Sequence, residues 1–138
     1  MSNSQYPCFC FLIRKAGRIT TRNYDNYLKP CGLKVTQFSM LANIARNPAS
    51  TVSELAELLS MDQTTVSRNL RLLEKSGYIR IESEMTDHRI KRIQISDLGV
   101  SKINEARPLW EQAQLEIQRV LGGENIDVMI KSVKKLLK

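Results

Sequence analysis

Hydroxyl, amide and cationic side chains recur on one side of the segment 63–76. At about 100° per residue, an α-helix here would place these groups on a single face. The face comprises Thr64, Arg68, Arg71 and Lys75, with Ser67 near its edge and Gln63 and Thr65 at its N-terminal end. Hydroxyls and amides can hydrogen-bond to base edges, and cations can neutralise phosphates. The chemistry indicated is reversible recognition of a polyanion. The segment alone would also suit an ordinary amphipathic helix with a solvated basic face.

The preceding residues predict a partner helix and a turn. Thr51 followed three residues later by Glu54 is typical of a reciprocally capped helix start. Leu55, Leu58 and Leu59 form an apolar stripe at helical spacing. Asp62 is a suitable N-cap for the second helix. In that helix the face opposite the polar one carries Val66, Leu70 and Leu73, and Gly77 suits a left-handed helix end. The sequence therefore predicts a helix-turn-helix.

A strand, a charged loop and a second strand follow this pair. The residues 78–81 alternate in polarity, and Ile90, Ile93 and Ile95 support the second strand, although Ile90 is compatible with the turn. In the loop, Asp87 can pair with Arg89 and stiffen the tip. Cations at Arg89, Lys91 and Arg92 can approach phosphates or a narrow minor groove. A hairpin of this kind is a wing beside the helix-turn-helix.

The residues 51–99 resemble the MarR family of winged helix-turn-helix regulators. The resemblance rests on Asp87-x-Arg89, on Ile93-x-Ile95-Ser96-x-x-Gly99 and on the helix pair before them. Ile95 replaces the leucine of the family pattern and keeps its apolar bulk. The resemblance extends over nearly the whole chain. It implies a dimer formed through terminal helices, DNA binding by the winged unit, repression, and control by a small ligand bound between the two parts.

Four further helices are predicted around the winged unit. They cover about 8–28, 35–46, 96–121 and 124–137, with Pro108 kinking the third. Thr36 is expected to cap the helix 35–46 and Ala45 to face inward, and a short strand is expected at 49–52. The expected fold is mainly α with a small β-hairpin wing. We expect one domain over 1–138, with dimerisation helices at 1–34 and 96–138 and the DNA-binding unit at 35–95, because the terminal helices are too apolar to be covered by the small unit.

Composition is that of a globular protein, with 42% apolar residues and 25% charged residues. The net charge of +7 suits a nucleic-acid partner, although much of it lies in residues 1–34. No apolar run is long enough for a membrane span, and the N-terminus does not resemble a signal peptide. Three cysteines argue against a disulfide framework and favour the cytoplasm. The sequence indicates no metal-ligand cluster, no catalytic set and no cofactor.

Cys10 is the one candidate for redox chemistry. Cys8 and Cys10 open the first helix, and Arg14 lies one turn beyond Cys10. The segment is similar to the first helix of the peroxide-sensing branch of the MarR family, in which the cysteine matching Cys10 is oxidised and a tyrosine matching Tyr24 hydrogen-bonds to it. Arg14 stands where that branch has its second tyrosine. Small packing residues are the simpler interpretation of these cysteines.

Three hypotheses follow. The preferred one is a cytoplasmic homodimeric regulator, expected to repress transcription, that binds a palindromic operator in double-stranded DNA and responds to an unidentified small-molecule effector. Its DNA-binding residues would be Gln63, Thr64, Thr65, Ser67, Arg68, Arg71, Lys75, Arg89 and Lys91. In the second, oxidation of Cys10 replaces the effector. In the third, the winged helix binds a protein and not DNA. None of the three is an enzyme.

Overall fold

The computed structural model describes residues 4–137 as a mostly helical chain with one small sheet. The helices are α1 (Phe9–Leu28), α2 (Val35–Arg46), α3 (Val52–Leu59), α4 (Gln63–Lys75), α5 (Asp97–Leu121) and α6 (Gly123–Lys134). The strands are β1 (Ser50–Thr51), β2 (Ile79–Ser83) and β3 (Lys91–Ile95), and short 3-10 turns cover Lys29–Cys31 and Lys135–Leu137. The predicted fold class, mainly α with a β-hairpin wing, is confirmed.

The sheet is antiparallel, with the strand order β1-β3-β2. Ile93 lies opposite Ser50 on one side and opposite Ile81 on the other. The predicted third strand therefore exists, as the two residues of β1. Ile90 precedes β3 and belongs to the turn, where its N–H donates to the Asp87 carbonyl at 3.0 Å. The wing is thus anchored by its central strand to the segment that leads into α3.

Side-chain caps fix where α3 and α4 begin. The Thr51 hydroxyl accepts from the Glu54 N–H at 3.1 Å, and the Glu54 carboxylate accepts from the Thr51 N–H at 3.4 Å, as expected. Asp62 caps α4 as predicted, accepting from the Thr65 N–H at 2.7 Å. Gly77 follows α4 with a φ of +81°, a conformation that glycine adopts without steric cost. These caps set the length and direction of α3 and α4.

The expected cap of α2 is wrong. Thr36 lies inside α2, which begins at Val35. The Val35 N–H instead donates to the Asp25 carboxylate of α1 at 2.8 Å, and the Lys34 N–H donates to the Gln37 side chain at 2.9 Å. A lysine side chain offers no acceptor, so the free amides of α2 are satisfied from elsewhere. The Asp25 bond ties α1 to the winged unit.

The core lies where α2, α3, α4, β2 and β3 meet, and it continues to α5. Its fully buried members include Leu41, Ile44, Leu55, Leu70 and Ile93. The expected inward orientation of Ala45 is wrong, because Ala45 is exposed, and Leu58 of the predicted apolar stripe is 53% exposed. Each lies at the outer edge of a predicted stripe, and the neighbouring elements cover only the centre of that stripe. On α3 the position next to Leu55 that packs inward is Ala56.

The junction of β3 with α5 depends on two small residues. Ser96 caps α5 by accepting from the Gly99 N–H at 3.1 Å, and its hydroxyl donates to the Gly77 carbonyl at 2.6 Å. Gly99 is buried against the Tyr78 carbonyl, and a Cβ there would lie only 2.2 Å from that oxygen. The serine and glycine of the wing motif therefore bring the start of α5 into contact with the end of α4.

The outer helices α1 and α6 expose large apolar side chains. Phe9, Phe11 and Ile13 of α1 are each more than half exposed, and no residue of α6 is buried. The helix α5 runs continuously through Pro108 and buries Ile103, Ala106 and Ala113. Among residues 4–137, no helix has the length and apolar character needed to cross a membrane.

Candidate nucleic-acid interface

The exposed face of α4 gathers most of the polar residues that the sequence singled out there. Gln63, Thr64, Ser67, Arg68 and Arg71 line one open cleft of about 340 Å³. The opposite face buries Val66, Leu70 and Leu73 in the core, as predicted. Within residues 4–137, neither arginine forms a salt bridge or hydrogen bond, so both guanidinium groups retain donors for an external acceptor.

Thr65 lies apart from that cleft and has a structural role at the start of α4. It is half-buried, its N–H donates to one Asp62 carboxylate oxygen, and its hydroxyl donates to the other at 2.8 Å. These two bonds lower the pKa of Asp62 from its ordinary value of 3.8, and the charge of Arg68 adds to the effect. The carboxylate is therefore ionised at neutral pH and complements the positive end of the helix. Lys75 ends α4 and is exposed.

The wing tip is stiffened by the ion pair of Asp87 and Arg89. The Asp87 carboxylate accepts from Nε and Nη2 of Arg89, each at 3.1 Å, and from the Arg89 N–H at 3.0 Å. These bonds lower the pKa of Asp87 and raise the pKa of Arg89. The Arg89 side chain is nonetheless 91% exposed, so its Nη1 edge faces solvent. His88 and Lys91 are exposed beside it.

Arg92, a wing cation that the sequence grouped with Arg89 and Lys91, points back into the fold. Its Nε donates to the Glu84 carboxylate at 2.5 Å, and its Nη1 donates to the Ala49 carbonyl at 2.9 Å. Ala49 has a φ of +60° in the corner between α2 and β1. Arg92 therefore clamps the wing to this corner. Sequence reasoning missed the clamp because its two partners lie eight and 43 positions away along the chain.

The structure separates Cys10 from Tyr24 within the chain. Both lie on α1, and fourteen residues of helix span about 21 Å. Cys10 is exposed, Cys8 caps α1 by accepting from the Phe11 N–H at 3.4 Å, and Tyr24 donates to the Gln114 side chain of α5. Partial burial raises the pKa of Tyr24. A Tyr24 contact to Cys10 would therefore need a second copy of the chain.

Within the described residues, no group of three or more His, Cys, Asp or Glu side chains is placed to hold a metal ion. The site combines a polar helix face with a cationic wing. Such an arrangement can bind an extended anionic surface, with neutral donors and acceptors at the centre and cations at the flanks.

Comparisons with known proteins identify the family. The sequence model of the MarR family matches residues 32–90, which include the helix pair, the first wing strand β2 and the wing loop. The chain is 33% identical to the transcriptional regulator MosR of M. tuberculosis, in a structure of its complex with DNA. That match covers 94% of this chain and 98% of MosR, with a TM-score of 0.77. The chain belongs to the MarR family.

Two other solved structures share the MarR fold at lower identity. A mutant of E. coli MarR complexed with operator DNA superimposes with a TM-score of 0.84 at 23% identity, covering 92% of this chain and 91% of that one. The transcriptional repressor CouR, bound to a 23-mer DNA duplex, gives a TM-score of 0.87 at 20% identity, covering 95% of this chain and 93% of CouR. The winged helix-turn-helix of this MarR-family chain is thus the fold that those proteins present in their DNA complexes.

Proposed function

We propose that this protein is a cytoplasmic transcription regulator that binds a palindromic operator as a homodimer. The observation that carries the proposal is the exposed face of α4. Its cleft offers two arginines that form no salt bridge or hydrogen bond within residues 4–137, beside three neutral hydrogen-bonding side chains. MosR, the relative at 33% identity, is described in complex with DNA, which supports the same role for this face.

The residues divide into two groups by chemistry. Base edges in the major groove would be read by Gln63, Thr64, Ser67 and Arg68, with Thr65 beside them and contributing chiefly through the cap of α4. Phosphates would be bound by Arg71, Lys75 and Lys91, whose cations lie at the flanks. Arg89 would reach the minor groove from the wing, presenting the guanidinium edge that Asp87 leaves open.

The exposed apolar surface of the outer helices supports a homodimer. Large apolar side chains on α1 and α6 include Phe9, Phe11, Val128 and Val133, and water would hydrate all of them in a lone chain. A second copy packed on α1, α5 and α6 would cover them. A twofold axis would then place two α4 helices for half-sites about one helical turn apart. A sedimentation measurement that gives only monomers at micromolar concentration, with and without DNA, would exclude this arrangement.

Selection of bound fragments from a random duplex pool tests the DNA role. The expected result is an inverted repeat, since two related α4 helices would each read one half. With the selected duplex, Arg68→Ala should weaken binding by about 1–3 kcal/mol if the guanidinium contacts a base. The matched control is Arg46→Ala, because Arg46 is an exposed arginine at the end of α2, outside both the α4 cleft and the proposed dimer helices. Equal affinity of Arg68→Ala and Arg46→Ala would reject the assigned role of Arg68.

The salt dependence of binding separates this proposal from a protein-interaction module. For a DNA-binding protein, the logarithm of the association constant for duplex DNA should fall steeply with the logarithm of the salt concentration. Lys75→Ala should reduce that slope by roughly 2, because each of two copies loses one phosphate contact. A flat slope together with no preferred sequence would favour a protein partner.

The regulatory part of the proposal is that the protein represses transcription and that a small ligand releases it from DNA. The alternative is oxidation of Cys10, which the exposed position of that thiol permits. Peroxide treatment of the parent and of Cys10→Ser distinguishes them. If both proteins keep their DNA, or both release it alike, Cys10 is not the switch. Release by the parent alone would replace the ligand hypothesis with the thiol one.

A further inference from the structure

Hydrogen bonds join the winged unit (residues 35–95) to the proposed dimer helices α1, α5 and α6 at the start of α5 and at the start of α2. At the start of α5, the Ser96 hydroxyl donates to the Gly77 carbonyl at 2.6 Å. At the start of α2, the Val35 N–H donates to the Asp25 carboxylate of α1 at 2.8 Å. Hydrogen bonds are directional, so each of these limits how the winged unit can lie relative to the dimer helices.

Apolar packing also holds α2 on α5. The Phe38 ring lies 5.7 Å from the Trp110 ring, with the two ring planes at 32°. Apolar packing is non-directional, so it resists separation of the two helices more than it resists sliding. If the start of α5 were the only bonded junction, the winged unit could tilt about it. The bond between Asp25 and Val35 opposes this tilt, because it keeps the start of α2 on α1.

Asp25 lies in a turn of α1 that is itself fixed on α5. The preceding residue, Tyr24, donates a hydrogen bond to the Gln114 side chain of α5. Asp25 is half-buried, and its carboxylate lies at the N-terminus of α2, where free amides and the helix dipole favour a negative charge. One turn of α1 therefore connects α5 with α2.

We propose that Asp25 is a positioning residue that acts through α2. It fixes the angle between the winged unit and the dimer helices, and thereby the separation of the two α4 helices in a homodimer. The helix α2 transmits this angle because its Leu41 and Ile44 side chains are fully buried in the core that also contains Leu70 of α4. The angle within one chain does not depend on the proposed function, whereas the separation of the α4 helices rests on it.

Electron–electron double resonance between two spin labels tests the angle within one chain. The labels are attached at Arg18→Cys on α1 and Glu57→Cys on α3, both exposed positions, and Cys8→Ser and Cys10→Ser remove the exposed thiols. An excess of unlabelled chain isolates the distance between labels on the same copy. One narrow distance is expected for the labelled parent. Asp25→Ala should broaden or split this distance, because the winged unit can then tilt.

Two variants separate positioning from stability. Asp25→Asn keeps a carbonyl oxygen that can accept from the Val35 N–H, so it should retain the narrow distance. Gln37→Ala is the matched control, because the half-buried Gln37 side chain accepts from the Lys34 N–H at 2.9 Å at the same helix start but does not connect it to α1. Gln37→Ala should therefore lower stability similarly and leave the distance narrow. An unbroadened distance in Asp25→Ala, or equal broadening in Asp25→Ala and Gln37→Ala, would overturn the proposal.

Selection from a pool of inverted repeats with varied spacing tests the consequence for DNA. The parent should enrich one spacing. Since one base pair adds about 3.4 Å to the half-site separation, Asp25→Ala should also accept repeats one base pair shorter or longer, with the same half-site sequence. Asp25→Asn and Gln37→Ala should keep the spacing of the parent. A broadened distance in Asp25→Ala without a change of spacing would reject the role of Asp25 in operator choice. A parent that selects no inverted repeat would contradict the proposed function, and the resonance measurement would still decide the role of Asp25 within the chain.

Discussion

The contact between Gly99 and Tyr78 makes Gly99→Ala the sharpest structural prediction. An added Cβ would lie 2.2 Å from the Tyr78 carbonyl oxygen and 2.7 Å from Cγ1 of Ile95. The carbonyl oxygen cannot move away freely, because it accepts from the Ser96 N–H at 3.0 Å. An ordinary contact begins near 3.4 Å, so the start of α5 must retreat by about 1 Å.

The expected loss in the free energy of unfolding follows from the contacts that this retreat strains. Overpacking a well-packed contact costs about 1–3 kcal/mol. The two Ser96 hydroxyl bonds, to the Gly77 carbonyl and from the Gly99 N–H, would lengthen and lose about 0.5–1.5 kcal/mol each. Alanine recovers up to about 1 kcal/mol through its higher helix propensity. The expected net loss in the free energy of unfolding is roughly 2–4 kcal/mol.

Urea unfolding at one fixed protein concentration measures this loss, since oligomer stability depends on concentration. With a slope of about 2 kcal/mol per molar urea, the midpoint should fall by about 1–2 M. The control is Gly123→Ala at the start of α6, where an added Cβ meets nothing within 4 Å and stability should be unchanged or slightly higher. Equal midpoints for the parent and Gly99→Ala would refute the argument that only glycine fits this junction.

Three further predictions concern the wing, the cap of α4 and the buried thiol. Arg92→Met should lower the free energy of unfolding by about 1 kcal/mol, because Glu84 and the Ala49 carbonyl lose their donor at a partly exposed site; an unchanged urea midpoint would contradict the clamp. The lowered pKa of Asp62 means that its stabilisation is complete above the ordinary value of 3.8 and disappears as the pH falls through the lower folded-state pKa. When the melting temperature is measured against pH, Asp62→Asn should lack the part of the decrease in acid that protonation of Asp62 causes. Parallel profiles of the variant and the parent would contradict this prediction. In a variant whose other two cysteines are serine, the buried Cys31 thiol should react with a thiol reagent only when the protein unfolds. Rapid reaction of the folded protein would contradict the protection of this thiol by burial.

Local caps and turns could be predicted from the sequence because each depends on neighbours within a few residues. Thr51 with Glu54, Asp62 before α4, and Ser96 before α5 all satisfy amides three positions ahead. Gly77 similarly meets a local backbone requirement. The order of helices and strands follows from the same signals together with apolar periodicity. For this reason the helix-turn-helix and the wing can be predicted from the sequence.

Contacts between distant segments could not be predicted in the same way. The start of α2 is capped by Asp25 from another helix, and the sequence alone suggested Thr36 because that residue is nearby. Periodicity likewise places Leu58 within an apolar stripe but does not show where the covering elements end. Both errors have one cause, because the partner that decides each orientation comes from a different part of the chain.

The cations of the candidate interface show why residue type alone does not assign a DNA contact. On the wing, Arg80, Arg89 and Arg92 each have a carboxylate partner within the chain. On α4, Arg68 and Arg71 have no such partner among the described residues and line an open cleft. A phosphate or base that approaches Arg80, Arg89 or Arg92 must compete with Glu82, Asp87 or Glu84, respectively, whereas on α4 Arg68 interacts only through its charge with Asp62 and forms no ion pair. Cations of α4 should therefore contribute more of the binding free energy than an equal number on the wing, even though both sets carry the same formal charge.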